Sequence, residues 1–223
     1  MDRQLFTLVN HDWASASLDL LMAAMPSFDL WLPFLILAGL VTLGLGGFKA
    51  RAFIVCALLV VAVSDGIVSN SLKKAVNRPR PNQSETGVRI VTLRKAHPQL
   101  LALLQPPLIK ASKPDTEPTS GRSFPSSHIM NNFAVAMTLA LFYRRFGWLA
   151  FFPAALVAYS RIYVGSHWPS DAIISGLLGV GVALLILPGF ELLWRTVSAR
   201  IAPALHTAHP SLVELQPNLH AAC

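Results

Sequence analysis

Ala52-Phe53-Ile54-Val55-Cys56-Ala57-Leu58-Leu59-Val60-Val61-Ala62-Val63 is an unbroken apolar run. It sits inside the stretch 51–72, close to the roughly 20 residues that a helix needs to cross the hydrocarbon layer of a bilayer. Four further stretches approach that length, at 29–48, 126–143, 147–165 and 171–190. Lipid offers the backbone no hydrogen bonds, so spanning segments must be helices or a closed barrel. Five runs of this length therefore predict an all-α, polytopic transmembrane helix bundle, one domain over 29–190. Composition agrees, with 53% hydrophobic residues, 13% charged residues and a mean hydropathy of +0.52. Those values lie outside the range of soluble globular domains.

Residues 1–28 carry apolar positions interrupted by Asp12 and Asp19, a pattern that suits amphipathic helices in the membrane interface. A sixth, poorly hydrophobic span is the alternative. The start at Met1-Asp2-Arg3 lacks the basic, apolar and small-residue regions of a removable signal peptide. Cys56 lies in an apolar run and Cys223 at the end of the sequence, so no bridge between them is expected.

The connections are of two kinds. Phe48-Lys49-Ala50-Arg51 and Tyr143-Arg144-Arg145-Phe146 are short and basic, whereas 73–125 is long and rich in Pro, Ser and Thr. With five spans the short turns and the tail 191–223 share one side, and the long loop and the 161–170 turn share the other. The positive-inside rule makes the short turns and tail cytoplasmic. The long loop objects, because it holds ten Lys/Arg against Glu85, Asp115 and Glu117. Charge counting alone thus leaves the orientation open. The formal charge of +7 is compatible with nucleic acid, but in a membrane chain it serves lipid headgroups or an anionic substrate equally well. Within the loop, 112–120 reads as a flexible linker, and Leu100-Leu101-Ala102-Leu103-Leu104 as a short helix inside the otherwise unassigned 82–121 segment.

Three motifs carry the chemistry. In Lys73-Lys74-Ala75-Val76-Asn77-Arg78-Pro79-Arg80-Pro81, Lys73 falls on the last turn of a span and the prolines stop the helix, holding Arg80 on a stiff segment. A guanidinium fork suits a tetrahedral oxyanion, and Lys adds a point charge. A basic membrane-edge anchor is the plainer reading of this stretch alone. In Gly121-Arg122-Ser123-Phe124-Pro125-Ser126-Ser127-His128, serines at a helix start offer hydroxyls and free N–H groups to an anion. His128 lies one turn in, where Asn131 or Asn132 could fix its tautomer. Alone, this is an ordinary helix cap. In Ser160-Arg161-Ile162-Tyr163-Val164-Gly165-Ser166-His167-Trp168-Pro169-Ser170-Asp171, a carboxylate four residues after a histidine can reach its imidazole. Such a histidine is a nucleophile toward phosphorus, with Arg161 closing over the same phosphate; metal ligation and simple capping also fit the pair. What raises the reading is the set, since all three motifs fall on one side of the membrane. Asp65, two turns before Lys73, is too deep in a span to be idle and is expected to support the pocket or to make a helix-packing hydrogen bond.

The three motifs resemble the type 2 phosphatidic acid phosphatase superfamily, whose pocket is shared with vanadium haloperoxidases. Its pattern is Lys-x6-Arg-Pro, Pro-Ser-Gly-His and Ser-Arg-x5-His-x3-Asp. Lys73…Arg80-Pro81, Pro125-Ser126-Ser127-His128 and Ser160-Arg161…His167…Asp171 match it in order, with Ser127 replacing the commonest Gly. The resemblance covers about 65–190. It implies a membrane lipid phosphatase in which His167 attacks phosphorus, Asp171 orients it and His128 protonates the leaving oxygen. Lys73, Arg80, Ser126, Ser127 and Arg161 would then hold the phosphoryl oxygens, with Asp65 and Asn132 in possible support. No cofactor or metal is implied, and the partners are a phosphorylated lipid and the bilayer, not nucleic acid. Bacterial members face the periplasm or exterior from the inner membrane, which would settle the orientation. Undecaprenyl diphosphate and phosphatidate are substrate expectations; a lipid phosphotransferase and a non-enzymatic phospholipid-binding protein are the alternatives.

Overall fold

The structure, a computed structural model, describes residues 1–114 and 121–213. Residues 115–120 of the expected linker and 214–223 of the tail, with Cys223, lie outside the described residues.

Among the described residues there are ten α-helices: α1 (Asp2–Thr7), α2 (Ala16–Ala24), α3 (Phe28–Leu45), α4 (Phe48–Val63), α5 (Asn70–Val76), α6 (Pro81–Ser84), α7 (Ser127–Phe142), α8 (Phe151–Tyr163), α9 (Pro169–Ile201) and α10 (Pro203–Ala208). A π-helical turn at Ser64–Ser69 joins α4 to α5, so that Phe48–Val76 forms one rod of 29 residues. This rod, α3 and α9 are long and apolar enough to cross a membrane by length and composition. α7 and α8 stand where the other two spans were expected but have 16 and 13 residues. α8 is the shorter because Gly147–Ala150 winds as a 3-10 turn.

The helix ends follow from local chemistry. Asn77 adopts the left-handed conformation (φ 46°) just past α5, a C-cap that Asn tolerates, and Pro79 and Pro81 keep the chain extended. Pro169 occupies the first position of α9, where its missing N–H costs nothing. α9 continues well past residue 190, and the chain then folds back on it. The Trp194 indole donates to the His209 carbonyl, His209 stacks on Phe48 at 4.1 Å, and Glu191 accepts from the N–H groups of Leu212 and Val213. The first part of the tail is thus docked on the bundle.

The core is set by α7, which packs most extensively against α9. Small residues permit the close approach of two helices where lipid supplies no hydrophobic drive, and Ala134, Ala183 and Gly179 meet here. A Cβ on Gly179 would collide with the backbone carbonyl of Met130, whereas one on Gly176 would rest at 3.4 Å from the Phe133 ring. Gly179→Ala is therefore expected to destabilise by about 1–3 kcal/mol, the usual cost of overpacking, and Gly176→Ala to be near neutral. Thermal unfolding midpoints in detergent would read the contrast.

Two features go beyond the sequence expectation. Residues 1–28 form helices that buried polar groups tie to the body of the molecule, a fastening that the sequence pattern does not display. Asn10, fully buried, donates to the carbonyls of Arg89 and Tyr163, and Asp19 accepts from Arg89 and from the Tyr163 hydroxyl. The second feature is a small antiparallel ribbon, β1 (Arg89–Thr92) against β2 (Leu108–Ala111), with Arg89 opposite Ala111. The expected short helix of the loop lies between its strands as a 3-10 turn at Gln99–Leu104.

Candidate active site

The chain segments that carry the three motifs meet at one end of the bundle. Pro79 pairs with Arg122 in an isolated antiparallel bridge, and the Ser123 N–H donates to the Arg78 carbonyl at 2.7 Å. This pairing brings the stiff proline segment against the entry to α7. Gly121 turns there with φ +138°, and a Cβ on it would press to 3.3 Å from the Arg80 guanidinium carbon. Lys73, on the last turn of α5, donates to the Ser127 hydroxyl at 2.5 Å, and Ser69 shares that hydroxyl at 2.8 Å. The π turn brings Ser64 to Asn131, 2.9 Å away, so the α4–α5 rod and α7 are stitched by hydroxyl contacts.

His167 is 3% exposed and lies between α8 and α9. The preceding turn requires Gly165, at φ +77°, because a Cβ there would stand 2.7 Å from the Arg89 carbonyl oxygen. His167 Nδ1 lies 2.7 Å from the Ser123 carbonyl oxygen. A carbonyl only accepts, so Nδ1 carries the proton and the Nε2 lone pair is free. Nε2 faces Arg161 Nη2 at 3.5 Å. Burial holds the imidazole well below its ordinary pKa, Arg161 and Arg80 add to the effect, and the Ser123 carbonyl offsets part of it. The ring is therefore neutral at neutral pH, as a nucleophile must be.

Several polar atoms of the motif residues are short of partners. Arg80 Nε, Arg161 Nε and Ser126 Oγ are buried with no hydrogen-bond partner in the protein. Burial also disfavours the charge on Arg80. Buried cations with unsatisfied donors are stabilised by an anion, and two guanidinium groups within electrostatic reach of a neutral histidine match a tetrahedral oxyanion. Asn82 Oδ1 is a further buried atom without a partner. His128 is the second residue of α7 and lies within electrostatic reach of Arg161, Lys73, Arg80 and Asp65. It is exposed, and it opens a cavity of about 400 Å³ whose other walls are largely apolar, among them Trp31, Leu35, Phe152 and Leu156.

Several expected contacts are drawn differently. The Asp171 carboxylate does not hold the His167 imidazole: it accepts from Arg78 Nη1 at 2.6 Å, from the Ser123 hydroxyl and from the Trp168 N–H at 3.2 Å. Four residues apart across a helix start, Asp171 turns back to cap α9 while His167 remains in the turn, and Ser123 comes between them. Neither asparagine reaches the His128 ring, because Asn131 accepts from Ser64 and Asn132 donates to the His128 carbonyl one helical turn back. Ser127 does not point freely outward, being bonded to Lys73 and Ser69, and the Ser126 N–H is taken by Ser175. Asp65 sits on the π turn within electrostatic reach of Lys73 and His128. Arg78 and Ser123 carried no mark in the sequence beyond their places inside two motifs.

Known proteins resemble this chain in sequence and in fold. The chain is 44% identical to an undecaprenyl-diphosphatase from Sulfolobus acidocaldarius over 64 residues, 28% of this chain and 31% of that protein. It is 25% identical to a lipid A 4'-phosphatase from Bacteroides thetaiotaomicron over 171 residues, covering 72% of this chain and 64% of the other. Each of these matches thus spans less than two thirds of the relative's length. Among solved structures, LpxE from Aquifex aeolicus superimposes with a TM-score of 0.58 at 22% identity, over 82% of this chain and 93% of that one. A transmembrane PAP2-type phosphatidylglycerolphosphate phosphatase from Bacillus subtilis gives 0.53 at 18% identity, over 85% and 84%. The PAP2 superfamily model matches residues 54–195, which include all three motifs. With most of its length inside that match, this integral membrane protein belongs to the PAP2 superfamily.

Proposed function

We propose that the chain is a lipid phosphatase that cleaves a phosphate ester or diphosphate of a membrane lipid through a phosphohistidine at His167. The observation that carries the reading is the neutral, buried His167, whose Nε2 lies 3.5 Å from Arg161 Nη2 and whose ring is within electrostatic reach of Arg80, both arginines having an unpartnered Nε, with His128 within reach of them and lining an apolar cavity. In the first step the Nε2 lone pair forms a bond to phosphorus while the bond to the leaving oxygen breaks. His128, protonated in the substrate complex, gives its proton to that oxygen. Arg80, Arg161, Lys73 and the Ser126 hydroxyl stabilise the charge on the three remaining oxygens, the largest contribution in phosphoryl transfer. In the second step His128 takes a proton from water, which attacks phosphorus and returns His167.

The cavity gives the lipid its place. Its walls come from α3, α7 and α8 on the apolar flank of the bundle, so a hydrocarbon chain lying there keeps its phosphate end at His128. Undecaprenyl diphosphate is the leading substrate and phosphatidate the next. The site opens to the exterior or periplasm, opposite the short basic turns, where Lys49 lies over the Tyr143 ring. Cationic side chains supply the neutralisation that a divalent metal supplies elsewhere.

Purified protein assayed for inorganic phosphate on a panel of phosphorylated lipids tests this directly. Hydrolysis of at least one lipid that persists in excess EDTA is the expected result. Loss in EDTA with recovery on added Zn²⁺ would replace it with a metal mechanism, and transfer of phosphate to a second lipid without free phosphate would replace it with a phosphotransferase.

A further inference from the structure

Arg78 is the hub of a charged network that no phosphate-binding role explains. Its Nη1 donates to Asp171 at 2.6 Å and to the Ser170 hydroxyl at 2.9 Å, and its Nη2 donates to Asp2 at 2.7 Å. The guanidinium also lies over the Trp168 ring, 5.5 Å from its centroid. Asp2, from α1, bonds to the start of α9, accepting from the Ser170 N–H at 2.9 Å and the Ser170 hydroxyl at 2.6 Å. Burial alone would raise the Asp2 carboxyl, but the bonds from Ser170 and Arg78 outweigh it and hold it below its ordinary value. Asp2 is therefore ionised at neutral pH, and one arginine is shared by two carboxylates.

This network ends on the nucleophile. Asp171, fully buried, accepts from the Ser123 hydroxyl, and the carbonyl of the same Ser123 accepts from His167 Nδ1. The Ser123 N–H is bonded in turn to the Arg78 carbonyl. Ser123 is thereby fixed at its amide, its hydroxyl and its carbonyl, and two of those three ties run to Arg78 directly or through Asp171. A group that fixes the hydrogen-bond acceptor of a reactive histidine fixes the tautomer and aim of its other nitrogen.

We propose that Arg78 and Asp2 form a positioning pair that holds Ser123, and through it aims His167 Nε2 at phosphorus, so that α1 is a working part of the active site. The proposal rests on His167 being the phosphorylated residue. α1 lies outside the matched family region, residues 54–195, so the pair joins a segment beyond that region to its centre. Arg78 contributes to the chemical step and not to holding phosphate, which separates it from Arg80 two residues on.

The test compares Arg78→Ala, Asp2→Ala and the double variant, in the full chain, on the lipid that the unaltered protein hydrolyses best. Partners that orient a reactive histidine are commonly worth about 10–100-fold. Arg78→Ala is expected to lower kcat by about that factor, with KM and the inhibition constant of inorganic phosphate within about twofold. Asp2→Ala should give a smaller loss of the same kind, and the double variant no more than Arg78→Ala alone, as for two residues in one chain of contacts. A loss that appears in KM and the phosphate constant, or two losses that multiply, would overturn the proposal; so would kcat within about twofold in both single variants. If Arg78→Ala fails to fold, Asp2→Ala decides. A readout that needs no turnover is the exchange of the His167 Nδ1 proton with solvent, followed by nitrogen-15 NMR. Faster exchange in Asp2→Ala supports the pair, and unchanged exchange sinks it, whatever the fate of the phosphohistidine.

Discussion

His167→Ala is expected to abolish hydrolysis of every phosphorylated lipid that the unaltered chain cleaves, with a fall in kcat of at least about 10⁴-fold, or roughly 5.5 kcal/mol of barrier. Alanine has no lone pair to attack phosphorus, and water would have to replace it in a turn shaped for an imidazole. The cations remain in the variant, because Arg80, Arg161 and Lys73 come from other positions. Affinity for inorganic phosphate should therefore stay within a few-fold, placing the loss in the chemical step. The second measurement is covalent. Brief mixing with a lipid labelled at its phosphate, followed by alkaline quench, should leave label on the unaltered protein in a form released by mild acid, as phosphoramidates are, and none on His167→Ala. Substantial turnover by pure His167→Ala protein would refute the phosphohistidine, and label that persists would assign it elsewhere.

The parts of this molecule that the sequence displays are those governed by local rules. Helices α3, α4, α7, α8 and α9 stand where apolar runs predict them, since a run of such residues has few other ways to satisfy its backbone in lipid. Helix stops at Asn77 and starts at Pro169 are equally local. Motif residues are visible because each motif is a short continuous stretch of sequence. The contacts between motifs are not visible. Arg78 reaches Asp171 across 93 residues and Asp2 reaches Ser170 across 168, and no periodicity marks such pairs. Among ten cations on the loop 73–125, Arg78 could be told from Arg80 only by which partner it met. Asp171 shows the cost of reading spacing alone. Its distance from His167 in sequence allows a direct bond, but at a helix start a carboxylate also has the nearby N–H of Trp168 to accept from, and that cap turns it away. Asp19 in the N-terminal segment is a related case. Asp19 reads as a polar interruption facing water, yet it is buried on Arg89 and the Tyr163 hydroxyl, partners contributed by two remote segments.

His128→Ala should behave differently from His167→Ala, and the difference depends on the leaving group. General acid catalysis by a placed histidine is worth about 10²–10⁴-fold, and kcat on a lipid phosphate, whose departing alkoxide is strongly basic, should fall by that amount. Nitrophenyl phosphate releases a stable nitrophenolate, which needs little protonation. On that substrate the first step in His128→Ala should run close to the unaltered rate, provided His167 attacks unaided. The neutral ring, with its proton committed to the Ser123 carbonyl, has the lone pair to do so. The second step has no such escape, because water still needs a base and His128 is the group facing the site from α7. Phosphoenzyme should therefore accumulate in His128→Ala with nitrophenyl phosphate, visible as a burst of nitrophenolate near one equivalent followed by slow turnover. Asp65, within electrostatic reach of both His128 and Lys73, should leave the burst intact when replaced by Asn, since it touches neither phosphorus nor the leaving oxygen. Equal losses on lipid and nitrophenyl substrates, with no burst, would remove His128 from both proton transfers and make it one more ligand of the phosphate.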